Sequence, residues 1–194
     1  MFKNRLNLRK VATIIACLAV MTTYWGCGKK DDPKFQIGQP YQGGIIAYVD
    51  PTGEHGLIAA AEDQSIGVTW ARPGLGPGTG TLPTYATATA IWTGKSNTEK
   101  IVQVTLEGEY AARLCYDLVL NGYDDWFLPS KDELSELYKN RAKIGGFVST
   151  SSYWSSSEGV HSNAFCQDFS DAGKSQGADH KISNSHRVRA VRYF

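Results

Sequence analysis

Three groups of residues in this 194-residue chain have the types to do chemistry. Arg187, Arg189 and Arg192 form the one local basic cluster, with His186 beside them. In a strand, Arg187 and Arg189 share one face and Val188 and Ala190 the other. Two guanidiniums so placed would present a fork to a sulfate or carboxylate, which makes His186, Arg187, Arg189 and Arg192 the ligand-binding candidates. The competing reading pairs these arginines with Asp124, Asp125 or Asp168 inside the fold. Asp124 and Asp125 themselves are a poor acid/base pair: neighbours in a turn or strand point apart, whereas glycosidase carboxyls flank one bond at about 5 to 9.5 Å. Turn capping accounts for them better. The third group is the serine-rich run from Ser149 to Ser157, which lacks a G-x-S-x-G elbow. His55, His161, His180 and His186 share no metal-ligand spacing. The Gly/Pro-rich run from Arg72 to Pro83 has neither the Lys-Ser/Thr of a phosphate loop nor a parallel strand-helix unit around it. No catalytic residue, metal ligand or cofactor is assigned.

The elements that would carry these residues are organised around Asn121 to Asn140. Asn121-Gly122 marks a turn, Trp126 to Leu128 an aromatic strand stopped by Pro129, and Ser130 stands three residues before Glu133, the spacing of a capping box. Leu134, Leu137 and Tyr138 then give one apolar helical face. A helix from Glu107 to Leu120 is expected to lead into this stretch, with acidic residues at its start. A shorter one is expected from Asn97 to Val104, after a weakly helical Tyr85 to Trp92. Gly43 to Val49 and His55 to Ala61 read as a hairpin around Asp50 to Gly53. Val68 to Trp70, Ser152 to Ser156, Ala164 to Phe169 and Arg187 to Phe194 read as further strands. Asp171 to Ser185 shows no apolar periodicity and reads as a loop. The fold class is therefore α+β, an antiparallel sheet carrying two well-defined helices.

Residues 1–26 are of another kind. Lys3, Arg5, Arg9 and Lys10 precede an apolar run from Val11 to Met21, too short for a permanent membrane span. Gly26-Cys27 resembles the end of a bacterial lipoprotein signal, which implies a lipid-modified Cys27 inserted into a bilayer. Tyr24 departs from that pattern; Cys17 fits it better locally but leaves only about six apolar residues against the roughly 7 to 15 expected. A plain secretory peptide is the alternative. Residues 27–36 then form the lipidated cysteine and a polar tether, and 37–194 a single domain. Lys30-Asp31-Asp32 resembles the surface-export signal of Bacteroidetes lipoproteins, so the expected location is the outer membrane, facing outward, with a periplasm-facing orientation as the alternative. Removal of the four basic signal residues leaves 16 Lys+Arg against 19 Asp+Glu, a net charge of −3. Bulk attraction to nucleic acid is not expected from such a chain.

Several motifs together resemble one family. The helix bearing Cys115, GYDDWFLPSKDEL (Gly122 to Leu134), YWSSSE (Tyr153 to Glu158), AFCQDF (Ala164 to Phe169) and VRAVR (Val188 to Arg192) are similar to the family named after the C-terminal domain of the Legionella collagen-like adhesin. GGIIAYVD and HGLIAA are similar to its opening hairpin. The resemblance spans roughly Gly38 to Phe194. It implies a C-type-lectin-like domain, a small twisted sheet with two main helices, and a role in adhesion or in binding a glycan or surface polymer without catalysis. An enzyme on a lectin-like scaffold and a structural component of a surface or fimbrial assembly are the alternatives. Many members carry a cysteine where Ala190 stands here, so the resemblance, with an oxidising location, implies a disulfide between Cys115 and Cys166; two buried free thiols are the alternative. The Glu-Pro-Asn and Trp-Asn-Asp triplets of calcium-dependent lectins are absent, since Trp154 is followed by Ser155, Ser156 and Ser157. Trp126 and Trp154 accordingly read as core residues.

Overall fold

The computed structural model describes residues 34–72, 82–105, 107–160, 162–172 and 175–194. The signal, Cys17, Cys27, most of the tether, the body of the glycine-rich loop and His161 lie outside the described residues.

Short β-branched and aromatic runs separated by turn residues build the first sheet. Pro40–Tyr41 (β1) turns into Gly44–Val49 (β2) through Gln42 and Gly43, both at positive φ (42° and 86°). The expected hairpin follows: β2 pairs antiparallel with Gly56–Ala59 (β3), with Val49 opposite Gly56 and a bulge between Ile46 and Tyr48. The last strand, Val191–Tyr193 (β7), lies antiparallel to β3, giving the order β1-β2-β3-β7. A second sheet holds Ser152–Glu158 (β4), Asn163–Asp168 (β5) and Gln176–His180 (β6) in that order. The described residues thus form two antiparallel sheets where one was expected. Strand β6 falls within the stretch read as a loop; its residues are mostly exposed on an edge, so burial imposes no apolar alternation on them.

The helices also differ from expectation. Gly94–Thr105 (α1) is longer than the short helix anticipated there, whereas Ala111–Tyr116 (α2) is all that forms of the expected Glu107 to Leu120. Gly108 at φ 112° and Tyr110 in extended backbone at φ −157° hold the chain out of the helical region, and Asp117 caps the other end. Residues 85–92 form no helix. The capped helix stands as read, Lys131–Ile144 (α3) behind Ser130.

The segment from Arg187 onward is the seam of the molecule. Single bridges join Ser65 to Val188, Tyr153 to Arg187 and Phe127 to Val191. Val68 to Trp70 and Trp126 to Leu128, read as strands, are therefore loops, the second docked on the seam through Phe127. One apolar cluster gathers Trp70, Ile101, Tyr110, Cys115, Trp126, Trp154 and Cys166; the other gathers Leu57, Phe127, Leu134, Leu137, Tyr153, Phe169 and Val191 beneath α3. Trp126 and Trp154 are buried, as read from sequence.

Candidate functional site

The carboxylate that caps α3 does more than cap. Ser130 Oγ accepts the Glu133 N–H (3.3 Å) and Glu133 Oε2 accepts the Ser130 N–H (2.7 Å), the two halves of the box. Glu133 is fully buried. Its other oxygen, Oε1, accepts from the Trp92 N–H at 2.8 Å, the Gly94 N–H at 3.4 Å and the Tyr193 hydroxyl at 2.8 Å. Burial pushes the Glu133 pKa up, and these donors oppose that without cancelling it. Gly94 is needed for the approach, because a Cβ there would lie 2.2 Å from Glu133 Oε2 and 2.8 Å from the Ser130 nitrogen.

Two of those donors belong to an aromatic shelf. Trp92 stays 42 % exposed although its backbone is held at φ 74°, a conformation that costs a bulky residue about 1–3 kcal/mol and persists only where surroundings impose it. Its ring centroid lies 5.1 Å from that of Tyr193 and 6.3 Å from that of Tyr48, and Tyr193 lies 4.4 Å from Phe127. Trp92 and Tyr193, with Phe194, Asp50 and His55, line a shallow open depression of about 360 Å³. Asp50 comes from the hairpin turn, where its Oδ1 accepts from Thr52 Oγ1 (2.6 Å), Gly53 N–H (3.0 Å) and His55 N–H (3.4 Å). These bonds, Thr52 first, hold the Asp50 carboxyl below the usual range. Sequence reading passed over Trp92. Its signal was a tryptophan between Ala/Thr-rich residues and a Gly helix start, but nothing local announces a positive φ.

A second depression, of about 470 Å³, is lined by Lys95, Glu99, Tyr116, Asp124 and Asp125. Asp124 and Asp125 do not act as a pair, because Asp125 is bound to Arg192 through Nε (2.6 Å) and Nη2 (3.0 Å). Burial pushes the Asp125 pKa up, but the Arg192 hydrogen bonds and charge outweigh it and the net shift is downward.

The C-terminal arginines are committed inside the fold. Arg189 is fully buried, with Nε on Asp63 Oδ1 (2.7 Å), Nη1 on the carbonyls of Ala60 (3.0 Å) and Ala61 (3.2 Å), and Nη2 on that of Gly146 (2.6 Å). Arg187 Nη1 and the Tyr153 hydroxyl both donate to Asp63 Oδ2 at 3.0 Å. Arg192 also reaches Gln42 Oε1 at 2.8 Å and stacks over Tyr123. His186 is buried against Trp154 and shares a 2.8 Å contact with Asp179 Oδ2. Arg187 and Arg189 do share a face, as read, but the fork closes on Asp63. The ligand-binding reading of His186, Arg187, Arg189 and Arg192 thus gives way to internal pairing. Of the carboxylates expected as partners only Asp125 serves, and Asp63, 126 residues before Arg189, was missed.

The sequence profile of the Lcl C-terminal domain matches residues 59–192. The chain belongs to that family. Among solved structures, this Lcl C-terminal domain is similar to a fimbrial protein from Bacteroides ovatus, at 15% identity and a TM-score of 0.45, over 70% of this chain and 35% of that one. The chain therefore spans about a third of that protein's length. No curated protein matches.

The remaining expectations for this Lcl C-terminal domain concern its cysteines and metals. Cys115 and Cys166 are both buried free thiols, so the structure does not contain the expected disulfide. Burial pushes both thiols up, Cys166 to about 11, which keeps them protonated and poor partners for thiol-disulfide exchange. Among the described residues no group of three or more His, Cys, Asp or Glu side chains is placed to hold a metal ion, and no helix is long and apolar enough to cross a membrane.

Proposed function

We propose that this chain is a surface-exposed, non-catalytic adhesion module that holds a glycan or other polymer on the Trp92 shelf, on a scaffold of the C-type-lectin type. The observation that carries the reading is the half-exposed Trp92 ring, kept in place by a strained backbone whose N–H is tied to buried Glu133. A flat, fixed ring beside a polar group is how a protein surface takes a sugar: the apolar ring face covers the C–H face of a pyranose, and the Asp50 carboxylate at the rim of the same depression takes hydroxyl donors. Family membership supports adhesion over catalysis.

A glycan array probed with the purified chain tests this. Binding to at least one polysaccharide class is expected, and Trp92→Ala should abolish it while thermal unfolding stays within a few degrees. Absence of binding to every glycan would overturn the reading, and self-assembly in that case would favour a structural role. We propose further that Cys27 is lipidated and holds the module at the outer membrane facing outward; loss of palmitate labelling in Cys27→Ser is the expected check.

A further inference from the structure

We infer that the shelf selects uncharged, hydroxyl-rich pyranoses of a neutral polysaccharide and turns away sulfated or uronate chains. This rests on the shelf being the binding surface, and the charges around it then set the class of sugar.

Thr52 Oγ1, the Gly53 N–H and the His55 N–H all donate to Asp50 Oδ1, with the Glu54 N–H a further backbone donor to the carboxylate. Pinned in the turn, the carboxylate is a rigid acceptor at the edge of the depression that Trp92 and Tyr193 line. An ionised carboxylate has no donor to offer. It therefore rewards a ligand rich in hydroxyl groups and repels a sulfate or a uronate brought against the same ring. Glu54, exposed in the same turn, adds a second negative charge.

Among the described residues the groups of opposite sign at this rim are His55, which lines the depression, and Lys34, which lies over Phe35 behind Phe194; neither side chain is paired with Asp50. The guanidiniums that would welcome an anion are committed elsewhere, Arg187 and Arg189 to Asp63 and Arg192 to Asp125. Lys95, three residues beyond Trp92, lines the neighbouring depression with Glu99, Asp124 and Asp125, where carboxylates outnumber it. Asp50 and His55 come from the opening hairpin, ahead of the residues 59–192 that the family profile matches.

Calorimetric titration of the purified chain at physiological ionic strength tests the inference, with cellohexaose, laminarihexaose and mannohexaose as neutral probes and a heparin hexasaccharide as the anionic one. At least one neutral probe should bind about tenfold or more tighter than heparin. Asp50→Asn keeps an Oδ1 acceptor for the turn but removes the charge. It should weaken the neutral probe about tenfold and narrow the difference from heparin. Tighter binding of heparin by the native chain, or an unchanged ratio in Asp50→Asn, would overturn the selectivity while leaving the shelf intact, provided Trp92→Ala still abolishes binding. Full binding by Trp92→Ala would instead overturn the shelf itself, and silence toward all four probes would overturn both.

Discussion

At the residue scale the instructive side chain is Arg189. Its type and position offered an anion fork, and its type was right: the guanidinium does grip a carboxylate, but that carboxylate is Asp63 of the same chain. Spacing in a strand shows which side chains share a face. It cannot show what a distant loop brings to that face, so the choice between ligand and internal partner was open until the fold was known. Arg189 is fully buried and Asp63 nearly so, which puts the pair where loss of one partner leaves an uncompensated charge. Arg189→Met should therefore cost about 3–5 kcal/mol in urea unfolding. Removing an exposed partner, as in Lys139→Ala against Glu136, should cost no more than about 0.5 kcal/mol. Comparable losses in the two variants would refute the structural weight given to Arg189. The buried Lys181–Glu158 pair, with Thr84 donating to the same carboxylate through N–H and hydroxyl, belongs to the same class.

At the element scale the capping box was legible because it is local: Ser130 and Glu133 sit three residues apart and both halves are present. Its second use was not legible, since Trp92, Gly94 and Tyr193 reach Glu133 from 41, 39 and 60 residues away. One carboxylate thus joins the start of α3, the start of α1 and the last strand. Glu133→Ala should cost about 3 kcal/mol or more by stranding several buried donors at once. It should also weaken glycan binding more than an ordinary α3 cap variant would, because Trp92 loses the bond that holds its strained backbone. An unfolding free energy within about 1 kcal/mol of the native chain would argue against this hub. The elements misread from sequence were the ones whose apolar signal is weak, β6 on its exposed edge, or whose helical signal is interrupted by Gly108 and extended Tyr110, as in α2.

At the scale of the whole molecule, acid stability follows from the paired carboxylates. Asp125 and Asp179 titrate below their usual value of 3.8 in the folded chain. Their stabilisation is complete above that pH and is lost as pH falls through the lowered values. Glu133 has the opposite sign, its raised pKa favouring the folded state below 4.5 and losing that contribution as pH climbs through the folded value. The melting temperature should accordingly drop as pH falls below about 3.8, and Asp125→Asn should flatten that drop; an unaltered acid limb in the variant would show that the pair contributes nothing. The two ends of the domain also meet. The Phe35 ring lies 4.8 Å from that of Phe194, Tyr41 packs against both, and Phe194 exchanges backbone hydrogen bonds with Gly56. Phe194 also borders the Trp92 depression. On the proposed reading, with Cys27 anchored and a ligand on the shelf, tension entering at Lys34 would meet this aromatic knot and the β3–β7 pair first and would leave the three-stranded sheet outside the shortest load path.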